Sequence, residues 1–485
     1  MSVDSSPMSV VVHSLIGGAW VTGSEGTLTD TNPARPDEVV ATGGRAGASE
    51  MATGVRVARI AANDWARLPM SARGAYLTRA AEIIETNADA WGEELTREEG
   101  KTLAEGIGEV RRAAQILRYY GNAADRESGT VYSSPRSGEQ ILVTRKPLGV
   151  VGVVTPFNFP IAIPAWKIAP ALVYGNTVVW KPAAAVPLLA FRLAQALTEA
   201  GLPDGVLNMI LADSAAGEAL VDHPDLDAVT FTGSTGVGRR IAGSAAARGV
   251  PAQAEMGGKN AAIVLADADL ELAVEQVMLG AFRSTGQKCT ATSRLVLHES
   301  IAEEFLARLT VEVEELRVGD PLDPDVTTGP VVSAYAQQTI IEGIDRAVGG
   351  GARVVASAEA PESGHYVRPT VLELSASTEL WFEELFGPVL AVQRAATTAD
   401  AFRLANEGEF GLSAALFTQD LTSALAGIDD LDVGILHVNS ESAGADPHVP
   451  FGGAKKSGYG PKEQGDAAQE FFTHTTTVYL RGGRA

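Results

Sequence analysis

Apolar runs of two kinds alternate through the middle of this chain and predict its architecture. The run LGVVGVVTP (148–156) is continuous, rich in β-branched residues and closed by proline, the pattern of a strand buried on both faces. IAIPAWKIAPALVYGN then predicts a helix, which Gly175-Asn176 closes. TVVWKP predicts a second buried strand and PLLAFRLAQALTEAG a second helix. GVLNMI, a helix from Ala215, DAVTF and the helix RRIAGSAAARG continue the alternation. Strands and helices at this spacing predict a parallel, doubly wound α/β sheet. A second α/β unit starts at Leu265, with a helix over 269–282, the strand RLVLH, the helix IAEEFLARLTVEVEEL and later the strand GILHVN.

The flanks read differently. Gly17-Gly18, Asn32-Pro33 and Arg35-Pro36 punctuate short apolar runs, so residues 1–50 predict small edge strands. Residues 51–120 turn helical, with Leu77, Ala80, Ala81 and Ile84 on one face and Val110, Ala113, Ala114 and Leu117 on another. They carry no functional signal and are expected to pack on one side of a sheet. The polar, turn-rich segment 121–146 ends in QILVTRK and predicts either an extended ribbon outside the main core or a solvent loop. The tail EFFTHTTTVYL is a β-prone strand that needs a partner, either in the ribbon layer or across a subunit boundary.

Composition narrows the function classes. Of 485 residues, 45% are hydrophobic and 20% charged, an ordinary globular balance, and the length implies two or three domains. The net charge of −22, from 60 acids against 38 Lys and Arg, argues against nucleic acid and anionic membrane as partners. No apolar run reaches the roughly 18 residues of a membrane span. MSVDSSPMSVVVHSL lacks the features of a secretory signal, and a single cysteine suits a reducing compartment, so a cytoplasmic location is expected.

The candidate chemistry centres on FRSTGQKCTATSR (282–294), which holds Cys289, the only cysteine. A lone thiol is either an inert small hydrophobe or a nucleophile. Its place just past a helix, among Gly, Thr and Ser, predicts an exposed loop and favours the nucleophile. In parallel sheets ligands bind at the carboxyl ends of strands, where helix N-termini meet anions. Two such ends are Thr155-Pro156-Phe157-Asn158 and FTGSTG (231–236). The second is not GxGxxG and reads either as a structural turn or as a phosphate site. Glu255, just before Met256-Gly257-Gly258, is either solvated or, in an apolar corner beside a nucleophile, a general base of raised pKa.

Taken in order, TPFNFP, AWKIAPALVYGNTVVWKP, FTGSTGVG, EMGGKN, GQKCTATSR, EELFGPV and PFGGAKKSGYG resemble the motifs of the NAD(P)-dependent aldehyde dehydrogenase superfamily. The resemblance runs from about Ile16 to the terminal strand. It implies an α/β, aldehyde dehydrogenase-like fold of two doubly wound parallel-sheet domains plus a small β oligomerisation arm. Residues 1–122, 145–255 and 440–465 would form the dinucleotide-binding domain, 256–439 the catalytic domain, and 123–144 with 466–485 the arm, giving a homodimer or homotetramer. It implies Cys289 as nucleophile, Asn158 with the Cys289 backbone N–H as oxyanion donors, and Glu255 as the base for thioester hydrolysis. Having Glu255 favours release of a carboxylate over transfer to CoA. Lys167 and Glu463 fall at a proton relay, or are a surface Lys and a solvated Glu. For NADP or NAD, the implied positions are Thr155, Pro156, Phe157 and Gly257, with Lys181 at the adenosine ribose, Gly233 and Ser234 at the pyrophosphate, Glu384 at the nicotinamide ribose and Phe386 near its ring. Ala184 stands where NAD-preferring relatives often carry Glu, so NADP is expected to be accepted. No metal is implied.

Within the superfamily, FNFPIAIPAWKIAPALVYGNTVVWKPA and FRSTGQKCTATSR are closest in texture to α-ketoglutarate semialdehyde (2,5-dioxopentanoate) dehydrogenases. A substrate with a distant carboxylate needs a cation, and Arg283, six residues before Cys289, is the candidate. Trp166 stands where succinic semialdehyde enzymes carry a second Arg. That disfavours succinic semialdehyde and brings in an aromatic aldehyde as competitor. A non-catalytic binding protein on the same fold is the alternative from another class, and a cysteine thioesterase a third.

Overall fold

The computed structural model describes residues 9–126 and 129–483; the parts of the expected domains and ribbon at 1–8, 127–128 and 484–485 lie outside the described residues. Two large sheets organise the chain. The first has eight strands in the order Gly458–Tyr459, Ala252–Glu255, Ala228–Thr232, Val150–Val154, Thr177–Lys181, Leu207–Met209, Ser14–Ile16, Ala19–Val21. Its middle pairings are parallel and its outer ones antiparallel. The apolar runs do lie buried on both faces: Val150, Val151, Val153, Val178, Val179 and Trp180 have no measurable exposure. Each such aliphatic side chain contributes about 1.5–3 kcal/mol relative to exposure.

The second sheet has seven strands, in the order Arg353–Ser357, Thr370–Glu373, Val389–Ala395, Thr292–His298, Asn260–Val264, Ser413–Phe417, Ile435–Val438. All pairings are parallel except that of the outer strand Arg353–Ser357. The segment 451–465 ties the sheets together. Ala454–Lys455 pairs with Phe410–Gly411, and three residues later Gly458–Tyr459 pairs with Ala252–Glu255.

The helical flank forms Ala48–Arg67, Met70–Thr86, Ala88–Glu99 and Leu103–Gly121. Both apolar faces expected from its periodicity are fully buried. The 121–146 segment is a ribbon and not a loop: Gly129–Ser133 pairs with Glu139–Pro147, and the terminal strand Thr473–Arg481 adds to the other edge in full antiparallel register. Local chemistry explains two further departures. The helix expected from Ala215 starts at Ser214, because the Asp213 carboxylate accepts the Ala216 N–H at 3.1 Å as an N-cap. The Gly-Ser-Thr-Gly turn is shorter than it reads, since Ser234 is extended and the helix begins at Thr235.

Candidate active site

The helix Leu270–Phe282 ends in a reversal that carries the nucleophile loop. Ser284, Thr285 and Gly286 have φ of 51°, 53° and 68°, a left-handed stretch that costs energy at the two non-glycine positions. Outside partners hold it. Glu105 accepts the Ser284 N–H at 2.7 Å, Thr285 Oγ1 donates to the Gly329 carbonyl at 3.1 Å, and Gln287 Oε1 accepts the Val332 N–H at 3.0 Å. The expectation of an exposed loop is therefore corrected. Cys289 is half-buried and its neighbours Gln287, Lys288 and Thr290 are buried, because the loop is roofed by the chain around 329–332 and by Glu441 and Ser442.

The loop is also pinned from beneath. Asn260 Nδ2 donates to the carbonyls of Cys289 at 2.7 Å and Ala291 at 2.9 Å, while its Oδ1 accepts the Ser413 N–H at 3.0 Å. A Cβ on Gly258 would lie 2.6 Å from the Cys289 carbonyl oxygen. Burial, followed by the carboxyls of Glu384, Glu255 and Glu463, pushes the Cys289 thiol up to about 12, against a lowering contact with the Thr290 N–H. At rest the group is a thiol.

The other expected catalytic residues converge on this loop from the first sheet. Asn158 follows the strand Val150–Val154, is buried, and donates through Nδ2 to the Gln287 carbonyl at 2.8 Å. Glu255 ends the strand Ala252–Glu255 and is buried, not solvated; Oε2 accepts the Gly453 N–H at 3.2 Å. Burial and the nearby Glu463 hold its pKa well above the carboxylate range, with Lys167 pulling the other way. Lys167 and Glu463 are both buried and ion-paired, which removes the surface reading of each. Lys167 also donates to Thr230 Oγ1 at 2.9 Å and the Phe231 carbonyl at 3.2 Å. Glu463 is raised by burial, with Lys167 the chief opposing influence. The Trp166 indole N–H lies against the Glu463 carboxyl as a further lowering influence on it, and the Trp166 ring packs on Phe451 at 5.5 Å.

A cleft of about 360 Å³ opens where the strands Val150–Val154 and Thr177–Lys181 end. It is lined by Lys181, Ser214, Val154, Val221, Val237 and Ile241 among others. Among the described residues, Lys181 donates to the Pro182 carbonyl at 3.2 Å and to no other group, and Thr232 Oγ1 and Thr235 Oγ1 are buried without partners. Gly233 and Ser234 form the turn between strand Ala228–Thr232 and helix Thr235–Ala247, with Ser234 exposed. The apolar walls and the Lys181 ammonium suit the adenosine of a dinucleotide, and the amides at the start of helix Thr235–Ala247 suit its pyrophosphate. At the other end, half-buried Glu384 accepts the Gly258 N–H at 2.9 Å, and a Cβ on Gly257 would lie 1.9 Å from its Oε2. Burial raises Glu384 to about 7. Phe386, at φ 56°, meets Phe157 edge-on at 5.8 Å. Pro156 is half-buried, and Thr155 Oγ1 accepts the Trp180 indole N–H at 2.9 Å, fixing the turn between them.

Several placements were not legible in sequence. Ala184 is exposed, yet Asp213 lies near enough to oppose the lowering of the Lys181 ammonium by burial, so a carboxylate does stand at this end of the cleft. Arg283 is half-exposed with Nη1 3.3 Å from Glu441 Oε1 and Nε 3.9 Å from Glu105 Oε1. Its charge is largely matched within the protein. Asn260 sits in the EMGGKN motif, whose order in the chain was the only signal for it.

Residues 20–478 match the model of the aldehyde dehydrogenase family. The chain is 41% identical over 487 residues to an alpha-ketoglutaric semialdehyde dehydrogenase of Bacillus subtilis, covering 98% of this chain and 100% of that one. It is 39% identical over 480 residues to a phenylacetaldehyde dehydrogenase of Pseudomonas fluorescens, covering 96% and 95%. Its fold matches a crystal structure of betaine aldehyde dehydrogenase from Staphylococcus aureus in complex with NAD+ at a TM-score of 0.93 and 30% identity, covering 96% and 94%.

Proposed function

The chain belongs to the aldehyde dehydrogenase family, and on that premise we propose that it oxidises α-ketoglutarate semialdehyde (2,5-dioxopentanoate) to 2-oxoglutarate with NADP or NAD. The observation that carries the reaction is the convergence of Asn158 and Glu255 on the Cys289 loop, together with a cleft at the strand ends that suits a dinucleotide.

In this reading the Cys289 sulfur attacks the aldehyde carbon to give a thiohemiacetal, and its proton leaves through Glu255. The Asn158 amide and the Cys289 N–H hold the developing oxyanion. What NAD(P) supplies when bound is a positively charged two-electron acceptor. Lys181 and the Gly233-Ser234 turn would hold its adenosine and pyrophosphate, and Glu384 with Phe386 its nicotinamide end. Oxidation leaves Cys289 acylated, and Glu255 takes a proton from the water that hydrolyses the thioester. The carboxylate product is then free to leave. The buried Lys167–Glu463 pair, in contact with Glu255 through charge, carries the proton onwards.

An aromatic aldehyde is the second reading for the substrate. The Trp166–Phe451 stack favours it, as does the pairing of Arg283 with Glu441. For assembly we propose a homodimer or homotetramer built through the three-stranded arm. For location we propose the cytoplasm, whose reducing conditions suit a free thiol.

The test is initial-rate formation of NADH and NADPH with 2,5-dioxopentanoate, succinic semialdehyde, benzaldehyde and phenylacetaldehyde. The highest kcat/KM for 2,5-dioxopentanoate is expected. A preference for the aromatic aldehydes selects the second reading, and no reduction of either cofactor with any aldehyde supports the non-catalytic alternative.

A further inference from the structure

One buried ion pair, far from Cys289 in sequence and in a flank without any functional signal, grips the chain from Asn158 to the start of the helix that follows it. Lys101 Nζ donates to the main-chain carbonyl of Asn158 and to Glu109 Oε2, the latter at 2.7 Å. It also stands 3.6 Å from the centre of the Phe159 ring. Glu109 Oε1 accepts the N–H groups of Ile161 and Ala162, each at 3.2 Å, at the start of helix Ala162–Val173. The side chains of Lys101 and Glu109 are 1% and 2% exposed. The clamp therefore fixes the backbone from the Asn158 carbonyl to Ala162, while the Asn158 side-chain amide reaches the Cys289 loop through the Gln287 carbonyl.

We propose that Lys101 and Glu109 are positioning residues for aldehyde oxidation, setting the Asn158 amide at the distance and angle an oxyanion requires. The proposal rests on the reading of Asn158 as an oxyanion donor. Its chemistry needs both charges. Lys101 is a cation whose hydrogen bond to the Asn158 carbonyl is charge-assisted, and such bonds are shorter and stiffer than neutral ones. Burying that cation requires a carboxylate, and Glu109 is the one in contact. Glu99 is the nearest alternative, at 4.0 Å. Burial holds its carboxyl well above the ordinary range, with Lys101 pulling it down, and its greater distance from the ammonium leaves the direct contact to Glu109.

The experiment is a double-mutant cycle of Lys101→Met and Asn158→Ala, with Lys101→Arg and Glu109→Gln alongside. Steady-state kcat, cofactor affinity by fluorescence quenching, and the rate of Cys289 alkylation by iodoacetamide are measured for each. A misplacement of about 1 Å costs up to about 100-fold in rate. Lys101→Met is expected to lower kcat about 10-fold to 100-fold, with cofactor affinity and alkylation rate within about threefold of the parent. In the Asn158→Ala background the same change is expected to have under about threefold effect, because the donor it positions is gone. Lys101→Arg is expected to recover part of the loss. Glu109→Gln keeps an acceptor for the two N–H groups and is expected to reproduce the Lys101→Met phenotype if that variant does not fold. Equal losses in both backgrounds, or unchanged kcat in folded Lys101→Met and Glu109→Gln proteins, overturn the proposal. If Asn158→Ala itself leaves kcat unchanged, the oxyanion reading fails first.

Discussion

At the scale of single residues, the site is a set of carboxyls crowded around a thiol, and its pH behaviour follows. Cys289 and Glu255 are both held above their ordinary pKa by burial, so each favours its neutral form in the ligand-free chain. Activity is expected to climb with pH as Glu255 becomes able to take the thiol proton. Glu255→Gln is expected to lower kcat by about 100-fold to 10,000-fold and to flatten that ascending limb, while acylated enzyme accumulates in a rapid-quench assay. Glu384 gives a second handle. Its pKa is raised from 4.5 to about 7, so its contribution to stability is complete below the unfolded value and is lost as pH rises through about 7. Ribose hydroxyls, by contrast, donate best to the ionised form. The rise in Tm on adding cofactor is therefore expected to grow between pH 6 and pH 8, and to lose this dependence in Glu384→Gln. Arg283 is the specificity test. Removing it takes a cation away from Glu441 and Glu105 and leaves that face more negative toward an anionic substrate. Arg283→Ala is expected to raise KM for 2,5-dioxopentanoate about tenfold, equivalent to about 1.4 kcal/mol, and to change KM for benzaldehyde little. Equal effects on both would remove Arg283 from substrate recognition.

At the scale of elements, the nucleophile loop is held by close backbone approach more than by its own conformational preference. Gly258 abuts the Cys289 carbonyl, and Asn260 bonds to that same oxygen. Gly258→Ala is expected to displace the loop, costing about 1–3 kcal/mol of stability by overpacking and a disproportionate loss of kcat. Differential scanning calorimetry beside steady-state kinetics separates the two. The elements themselves were largely readable. Val150–Val154 and Thr177–Lys181 announce themselves because both faces of each strand are apolar, and Asp269 caps Leu270–Phe282 through the Leu272 N–H as its residue type suggests. The burial of the Cys289 loop was not readable, because Gly, Ser and Thr look the same under solvent or under a roof of chain 150 residues away.

At the scale of the whole molecule, the arm is the exposed feature with the clearest consequence. Tyr132, Ile141 and Tyr479 align across its three strands, and both tyrosines are more than half exposed. On the proposal that the arm builds a homodimer or homotetramer, this apolar row is the surface that a second copy would cover. The double change Tyr132→Glu with Tyr479→Glu is expected to reduce the assembly to monomer in light scattering after size-exclusion chromatography. Elsewhere, the division of labour between sequence and fold has a simple physical origin. Strand and helix periods of 2 and 3.6 are local, so the alternating sheets, the buried helical faces and the order of the motifs around Cys289 were determined by the sequence alone. Partners are not local. That Glu255 lies near Glu463, that Arg283 meets Glu441, that Asp213 lies near Lys181 and that Lys101 holds the Asn158 carbonyl depend on which strand ends, helices and loops the fold brings together. Only the tertiary structure decided these pairings, because charge and hydrogen bonding act over a few ångströms of space and not along the chain.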